Sequence, residues 1–519
     1  MCPKNITMDY PKDHIFTRAF LDHKLSSITD KTLGEVDAQR VFDRTIGKPK
    51  ITGIAGDVIE QSVLGYKPDR KQFPDILVDG VFTEVKTTGV RYDSKNGYSA
   101  KEPITITAVS IDTITKEQFA SSHFWNKVAH MLMVYYLYDA PKGTVVPSWG
   151  YANFPVKGYE FYHVSDEDKA LLQQDWTIVH DFLKDIQDNY SNPSAEYPRL
   201  SHDLRSKLLV LDTAPKYPNP PRFRFKQSFA NIIVKNYFSR AAKLEHLKEG
   251  FSSFSAFEEK CHMLSKQYSG KTFGELIQEF NIATELKNKT DLTRGCLFPT
   301  AVRGINKAIG STIALRMFGC KSNNFDKVDE FSKIGLIGKT ITLTRNGGRT
   351  EDLKFFRVHF DTLMEEESFE ESEFYAYFSQ HSFLMIVCEE PSPEAPLVDN
   401  KFLGFKRFCF DEEFIQTEVQ WLWNEMRSQI TNGTFYVRDK VNKDGSKTLN
   451  PNGKNFRQEN SFPKKGHIGS PDHHNAFIKL GAADSLDKTE VLNGYEICHQ
   501  YVWIDGNYIA GKVADLEFL

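Results

Sequence analysis

The stretch that decides the fold runs from Gly56 to Thr88 and reads GDVIEQSVLGYKPDRKQFPDILVDGVFTEVKTT. It places Asp75 nine residues before Glu84, Lys86 two residues after that glutamate, and Glu60 fifteen residues before Asp75. Successive side chains of a strand point to opposite faces, so Glu84 and Lys86 share a face. Two carboxylates and a lysine that converge at a hairpin are suited to hold a hard divalent cation and a water beside a phosphate.

The local structure of this stretch follows from its residue types. Asp79-Gly80 is a hairpin-type turn signal between the apolar run 76–78 and the β-branched and aromatic run 81–87. Upstream, apolar residues recur at close to a helical period between Ile54 and Leu64, which predicts a helix that carries Glu60 to the ends of the strands. The alternative is that Glu84 and Lys86 form an ordinary exposed ion pair, because such a triplet also occurs by chance.

Length and composition bound the class of protein. The 519 residues are too many for one ordinary core, so two or more domains are expected, and 40% hydrophobic residues with 40 Phe indicate a folded chain. The net charge of −4 means that any basic surface for nucleic acid is local. Seven scattered cysteines without a CxxC pair fit reduced thiols and give no zinc site. The N-terminus has no secretion signal and no apolar run is long enough to span a membrane, so a cytoplasmic protein is expected.

Three short segments recur in the same order along the chain. The offsets are 240, 254 and 253 residues, which predicts a duplicated domain of about 250 residues. We therefore expect domains at 1–250 and 270–519 with a linker at 251–269. The matching pairs are 30–35 (DKTLGE) with 270–275 (GKTFGE), 64–67 (LGYK) with 318–321 (FGCK), and 131–134 (MLMV) with 384–387 (LMIV).

The second copy differs from the first at the positions that carry chemistry. It keeps one lysine and loses a carboxylate and a lysine, which predicts that the first copy is catalytic and the second is a retained binding fold. The offset, with one residue of slack at the aspartate, pairs Lys86 with Lys339, Glu84 with Ile337, Asp75 with Asp329 and Lys127 with Gln380.

The first half resembles the MutH-type endonucleases of the PD-(D/E)xK superfamily, which join a mismatch-repair nicking enzyme with a type II restriction enzyme cutting at GATC. The GATC-cutting Sau-type branch also carries a second MutH-like copy with a degraded active site, so the resemblance covers nearly the whole chain. It implies a mixed α/β fold of two tandem MutH-like lobes, the second with a degenerate site. The residues that carry the resemblance are GDVIEQ at 56–61, Pro74-Asp75, EVKT at 84–87, SHFWNK at 122–127 before the strand 131–136, the helix 166–186, and RFRFKQSF at 222–229.

The resemblance implies a mechanism as well as a fold. Asp75 and Glu84 would hold Mg²⁺, and Glu60 would assist the metal or its hydration shell. Lys86 would orient or deprotonate the attacking water, the latter only if its pKa is lowered. Lys127 would position the water or the phosphate, or else is an exposed lysine near a helix end. Hydrolysis would leave a 5′-phosphate and a 3′-hydroxyl.

DNA contacts are expected from local basic segments. Alternation along 222–226 would put arginines on one face of a strand and phenylalanine rings in the core. The segment 438–465 is interpreted as a flexible basic loop that grips phosphates, or as a merely solvated loop. His467, His473 and His474 are better explained as surface or DNA-facing residues than as a metal site. The candidate DNA-binding residues are Lys207, Lys216, Arg222, Arg224, Lys226, Arg438, Lys464 and Lys465.

The preferred function is a Mg²⁺-dependent type II endonuclease that cuts double-stranded DNA at GATC or a related short site. One intact site per chain implies that it nicks twice or pairs with another chain on DNA, and a partner methyltransferase is expected. The alternatives are a non-cleaving DNA-binding regulator and a repair-type nicking enzyme. Two departures from the family fall on base-reading elements and leave GATC specificity open. Only the ten residues 212–221 separate a strand expected at 207–211 from the strand that begins at 222, and HIGSPDHHN stands at 467–475.

Overall fold

A computed structural model gives the arrangement of most of the chain. Contacts divide it into two compact units: unit 1 takes the described residues up to 244 together with 332–335, and unit 2 takes 245–331 and 336–519. The described residues are 11–48, 51, 53–67, 73–93, 97–109, 111–140, 146–213, 221–239, 244–248, 250–251, 253–282, 308–349, 351–366, 368–392, 395–449, 456–467, 469–480, 488 and 490–519.

Unit 1 is built on a mixed sheet with helices packed against it. The sheet has the order β1-β2-β3-β6-β7, with β4 paired to β3, and a separate sheet has the order β5-β9-β8. The strands are β1 (Ile15–Phe16), β2 (Ile76–Val78), β3 (Val81–Asp93), β4 (Gly97–Ala100), β5 (Ile104–Ala108), β6 (His130–Leu137), β7 (Val156–His163), β8 (Leu211–Asp212) and β9 (Arg222–Phe225). The helices are α1 (Arg18–Ser26), α2 (Ile54–Val58), α3 (Ile111–Ile114), α4 (His123–Val128), α5 (Asp166–Asn189), α6 (Pro193–Glu196), α7 (Arg199–Asp203) and α8 (Gln227–Phe238).

The hairpin predicted at Asp79-Gly80 is present. Val78 pairs with Val81 across the turn, and Asp79 and Gly80 have φ of 46° and 83°. Two positive φ angles define the turn type whose twist matches that of the flanking strands, which explains the Asp-Gly pair. β3 then runs parallel to β6, so that Glu84 lies beside Met131 and the hairpin is held in the centre of the sheet.

Unit 2 contains smaller sheets with the orders β10-β12-β13 and β11-β19-β16 and the pairs β14-β15 and β17-β18. The strands are β10 (Leu336–Leu343), β11 (Leu353–Arg357), β12 (Ser382–Glu389), β13 (Lys401–Phe408), β14 (Val437–Asp439), β15 (Gln458–Asn460), β16 (Ala476–Leu480), β17 (Glu490–Leu492), β18 (Tyr495–Ile497) and β19 (Gln500–Ile504). The helices that follow residue 244 are α9 (Phe254–Tyr268), α10 (Phe273–Glu279), α11 (Ile309–Met317), α12 (Asp329–Lys333), α13 (Phe360–Glu365), α14 (Glu373–Gln380), α15 (Glu412–Phe414), α16 (Gln420–Thr431) and α17 (Gly506–Ala514).

The first repeated segment makes the same contacts in both units. In unit 1 the amide of Asp30 donates to the carbonyl of Val156 (2.7 Å), and the Thr32 amide donates to the side chain of Glu35 (2.7 Å). In unit 2 the amide of Gly270 donates to the carbonyl of Phe402 (2.8 Å), and Thr272 and Glu275 repeat the side-chain bond at 2.7 Å. We name each set of bonds a clasp, because it ties an early segment to a strand far along the chain.

The third repeated segment shows the same strand irregularity in both units. The pairing of β6 with β7 shifts after Tyr135 and Gly158, and that of β12 with β13 shifts after Val387 and Gly404. A Cβ on Gly158 would lie 2.2 Å from Tyr237 Oη, and one on Gly404 would lie 2.7 Å from Phe518 Cδ1. A bulge with a glycine under an aromatic ring therefore recurs at the same place.

Three sequence expectations differ from the structure. The segment 251–269, expected to be a linker, contains the helix α9, because Phe257, Cys261 and Leu264 lie on one buried helical face. The described part of 438–465 is not a flexible loop, since β14 pairs with β15 in an antiparallel hairpin. The strand expected at 207–211 is limited to β8, Leu211–Asp212.

Two general findings concern cysteines and membranes. Among the described residues, Cys261, Cys320, Cys388, Cys409 and Cys498 are all free thiols. Within the same ranges, every helix is too short or too polar to cross a bilayer.

Candidate active site

The carboxylate of Asp75 is fixed by the hairpin that follows it. The amide of Val85 donates to Asp75 Oδ2 at 2.9 Å, so the side chain is anchored to the neighbouring strand. His14 Nδ1 lies 2.7 Å from the carbonyl oxygen of Asp75, and this contact fixes the backbone of Asp75. Both contacts hold Asp75 beside the strand that carries Glu84.

Glu84 lies at the centre of the site and is 2% exposed. Lys127 Nζ lies 2.9 Å from Glu84 Oε1 and 2.7 Å from Oε2, and Lys86 Nζ lies 2.8 Å from Oε1. A buried carboxylate requires such charged partners, because burial of an unpaired charge is costly. The predicted convergence of Glu84, Lys86 and Lys127 is therefore present in the structure.

Lys127 reaches Glu84 from the short helix α4. The helix begins after Ser122, whose hydroxyl accepts from the amide of Trp125 at 3.0 Å, and ends at Val128, just before β6. The Lys127 side chain is 8% exposed. The alternative of an exposed lysine near a helix end is thus wrong, since the amine is buried against the sheet.

Glu60 lies on a π-helical turn. The helix predicted over 54–64 begins as α2 and continues as a π-helix at Ile59–Leu64, with the amides of Gly65 and Tyr66 both donating to the Glu60 carbonyl. Such turns often occur at functional sites. The helix prediction holds, but its π-helical end carries no sequence signal that we can identify.

Burial and neighbouring charges shift the pKa values of Glu60, Asp75 and Lys86. Burial first, and then the charge of Asp75, raise the pKa of Glu60 to about 8. Burial and the charge of Glu84 raise the pKa of Asp75 to about 6. Burial lowers the pKa of Lys86, but the charges of Glu84 and Asp75 outweigh it and raise the pKa above its usual value. Lys86 is therefore better suited to orient a water than to deprotonate it.

The donor set fits a divalent cation of the magnesium type. Burial is the largest cause of the raised pKa values of Glu60 and Asp75, and the next cause is repulsion between the clustered carboxylates. A bound cation would relieve it. Within the described ranges, no group of three or more His, Cys, Asp or Glu side chains is arranged to hold a metal by itself. Magnesium does not need one, because it usually takes one or two carboxylates and completes its shell with water and substrate phosphate.

A buried aspartate outside the active site was not recognised as structural from the sequence. Asp175, within α5, is 0% exposed and accepts from the amides of Leu209 (2.9 Å), Val210 (2.8 Å) and Leu211 (2.8 Å). Burial raises the pKa of Asp175 to about 6, although the hydrogen bonds from the three amides act to lower it. The signal was present in the sequence, since an acid beside Trp176 interrupts the apolar stripe of a long helix.

The predicted DNA-binding residues of unit 1 occupy different environments. Lys207 and Arg222 are exposed, and Lys216 lies outside the described residues. Arg224 pairs with Asp212 at 2.7 Å. Lys226 is 4% exposed and donates to the Leu208 carbonyl at 2.6 Å, so this geometry assigns it to the interior rather than to a DNA surface. As predicted, Phe223 and Phe225 are buried on the other face of β9.

The predicted basic residues of unit 2 all have carboxylate partners. Arg438 pairs with Glu459 at 2.8 Å, and Lys464 lies 3.5 Å from the same glutamate. Lys465 is partly buried and lies 2.8 Å from both Asp352 and Asp505. Of these three residues, Arg438 and Lys464 are exposed, so they are more accessible to a phosphate backbone than Lys465.

The three histidines of 467–475 have different surroundings. His467 is exposed, and His473 Nε2 lies 3.4 Å from Asp505 Oδ2. The ring of His474 stacks on Trp421 with 3.5 Å between centroids. His473 is thus placed beside a carboxylate and His474 against an aromatic ring.

The strand register shows which residues of unit 2 stand at ladder positions equivalent to those of Glu84 and Lys86. When the two units are aligned on their shared bulge, Phe383 takes the position of Met131. The sequence comparison paired residue 131 with residue 384, which is one residue further along. Ile337 is paired with Phe383 as Glu84 is with Met131. Lys339 likewise takes the ladder position of Lys86.

The residues of unit 2 that the sequence pairs with Lys86, Asp75 and Lys127 have surroundings different from those of unit 1. Lys339 Nζ donates to the Lys354 carbonyl at 2.7 Å, and burial together with the charge of Lys354 lowers its pKa to about 8. Asp329 begins the helix α12 instead of preceding a hairpin strand, so it does not reproduce Asp75. Gln380, at the end of α14, is buried.

A family model matches the part of the chain that carries these residues. Residues 64–175 match the model described as DNA mismatch repair enzyme MutH, a range that includes Asp75, Glu84, Lys86 and Lys127. The match and the converging carboxylates and lysines support a MutH-like endonuclease.

A relative that aligns along most of the chain indicates which class of endonuclease the chain resembles. The chain is 25% identical over 499 residues to the type II restriction enzyme Sau3AI of Staphylococcus aureus, and the alignment covers 89% of this chain and 92% of that protein. With the family match, this similarity supports a MutH-like type II restriction endonuclease, a site-specific deoxyribonuclease acting on phosphodiester bonds. The class predicted from the sequence is confirmed.

Proposed function

We propose that the chain is a Mg²⁺-dependent endonuclease that cuts double-stranded DNA at GATC or a related short site and leaves 5′-phosphate and 3′-hydroxyl ends. The observation that carries the proposal is the convergence of Asp75, Glu84, Lys86 and Lys127 on one sheet face of unit 1. The relative of similar length, which is a type II restriction enzyme, supports the same activity.

Each residue has a distinct role in the proposed reaction. Asp75 and Glu84 hold the cation, and Glu60 assists it from the π-helical turn. When bound, the cation neutralises phosphate charge and makes water a stronger nucleophile. Lys86 orients the water in line with the leaving oxygen, and Lys127 holds the scissile phosphate. Both lysines pair with Glu84 in the structure, so they stand within reach of any group bound beside it.

We assign to unit 2 a binding role on DNA, as an effector site or a clamp, and regard it as a degenerate second copy. Its clasp and its bulge repeat those of unit 1, while Ile337 stands at the ladder position of the metal-binding glutamate. Arg438 and Lys464 are the exposed charges suited to phosphates. Lys207 and Arg222 would serve the same purpose in unit 1.

One catalytic site per chain has a consequence for double-strand cleavage. The enzyme either pairs with a second copy on DNA or cuts the two strands in turn. A restriction activity also implies a methyltransferase that protects host DNA. GATC is the reference site, but the shortened segment 212–221 and the histidine-rich 467–475 lie where base contacts are expected, so a related sequence is equally compatible.

The metal requirement is tested with unmethylated plasmid DNA. We expect discrete fragments with Mg²⁺ and none with EDTA, because the carboxylate cluster cannot hold the phosphate and water without a cation. Sequencing of the fragment ends gives the site and the end chemistry. Relaxed circles alone would favour a nicking enzyme, and salt-sensitive binding without any cleavage would favour a regulator.

Matched substitutions at Lys86 and Lys339 test whether unit 1 is catalytic and unit 2 is not. We expect Lys86→Met to lower the cleavage rate at least about 100-fold. We expect Lys339→Met to leave that rate within about twofold of the wild-type rate. Loss of cleavage in the Lys339 variant would contradict a degenerate second site.

The same Lys339 variant has a predicted pH dependence of stability. The folded state lowers the pKa of Lys339 to about 8 from an ordinary value of 10.5, so the charged amine costs stability below pH 8. That cost fades as pH rises from 8 towards 10.5. Lys339→Met should therefore unfold at a higher temperature than wild type at pH 7, and the gap should shrink at pH 10. Calorimetry at both pH values measures it, and an equal gap at both would contradict the assignment.

A further inference from the structure

The two faces of the β2–β3 hairpin are covered differently. On one face Ile76, Val78 and Val85 lie in the core of unit 1. On the other face Leu77 pairs laterally with Phe82, and Ile15 of β1 pairs with Leu77. Three apolar side chains therefore form a row across three strands, which we name the apolar row.

The apolar row is open to solvent although it is hydrophobic. Ile15 is 50% exposed and Phe82 is 37% exposed, and Leu77 between them is partly exposed. Phe73, which precedes Asp75 by two residues, packs edge-on against Phe82 with 5.3 Å between ring centroids. Contiguous exposed apolar side chains of this kind mark interaction surfaces.

The apolar row is continuous with the catalytic residues. Phe82 and Glu84 are two residues apart in β3 and share a face, so they are separated by roughly 7 Å along the strand. That distance spans about two base-pair rises of 3.4 Å. A duplex with a phosphate at Glu84 and with a minor groove about 6 Å wide would cover Phe82. DNA is thus the occupant that the position of the row favours.

We propose that the apolar row is a wedge that packs against sugars and base edges in the minor groove beside the scissile phosphate and partly unstacks the adjacent base step. Apolar side chains of proteins act on the minor groove in this way. The inference rests on the proposed function. It makes Phe82 a positioning residue, which fixes the phosphate over Glu84 without taking part in the chemistry.

The test compares Phe82→Ala with Val81→Ala, a neighbour on the same strand that is also exposed but projects to the opposite face. The substrate is a duplex that carries the site identified by plasmid digestion, with 2-aminopurine next to the scissile phosphate. We expect Phe82→Ala to lower the single-turnover rate about 10- to 100-fold and to lose the fluorescence rise that precedes cleavage. Val81→Ala should stay within about twofold, and Phe82→Leu should restore most of the rate.

Three outcomes would overturn the inference. A Phe82→Ala enzyme with wild-type rate and fluorescence would remove it while leaving the proposed function intact. A dimer of wild type without DNA that Phe82→Ala abolishes in sedimentation would make the row a protein–protein surface instead. No cleavage by the wild-type protein would overturn the proposed function and this inference together. Circular dichroism of each variant establishes that it is folded before its cleavage rate is compared with that of wild type.

Discussion

Glu84→Gln is expected to reduce DNA cleavage at least about 1000-fold, because it removes the charge that pairs with two lysines and that we propose holds the cation. Glutamine keeps the volume and an acceptor oxygen, so the sheet is retained better than with alanine. The variant leaves Lys86 and Lys127 close together without a negative partner, and we also expect a lower unfolding temperature. Single-turnover cleavage of plasmid with Mg²⁺ measures the first effect, and calorimetry measures the second.

The matched control is Glu102→Gln. This glutamate is exposed and lies 3.7 Å from Lys101, so its loss removes one charge of the same sign from unit 1. We expect cleavage within about twofold of wild type. A Glu84→Gln enzyme that kept a tenth or more of wild-type activity would contradict the role of Glu84 as a metal ligand.

Asp175→Ala is expected to destabilise unit 1 by several kcal/mol, which is more than most single substitutions cost. Three buried amides, those of Leu209, Val210 and Leu211, would lose their acceptor. A buried donor without an acceptor costs about 1–3 kcal/mol. For a unit of this size the unfolding temperature should then fall by roughly 10 °C.

Asp181→Ala is the control on the same helix, because the Asp181 side chain is 68% exposed. We expect it to change the unfolding temperature by less than about 2 °C. Thermal and urea unfolding followed by calorimetry and fluorescence measure both variants. If Asp175→Ala matched Asp181→Ala, the amide bonds to Asp175 would not stabilise the fold as proposed.

The catalytic hairpin could be predicted from the sequence because its signals are local. Asp79-Gly80 specifies the turn, and strand alternation puts Glu84 and Lys86 on one face. The closeness of Lys127 to Glu84 came only from the family resemblance, since it depends on the parallel register of β3 with β6. No local pattern fixes such a register between segments so far apart.

Burial explains most of the remaining differences. Lys226 follows an alternating strand, and its sequence cannot reveal that the amine turns inward to the Leu208 carbonyl. The break between the two repeated copies suggested a linker at 251–269, but the apolar residues of α9 have the period of a packed helix. The polar and basic composition of 438–465 similarly hid the pairing of β14 with β15, which rests on backbone bonds.

The two clasps also determine when each half of the chain can finish folding. Each joins residues more than a hundred positions apart, Asp30 with Val156 and Gly270 with Phe402. Closing loops of that length costs entropy before any contact is gained, so the clasps are late steps in assembly. During synthesis, unit 1 cannot complete its sheet until Val156 has left the ribosome. Until Phe154 has emerged, the amide of Leu33 lacks its acceptor, the carbonyl oxygen of Phe154.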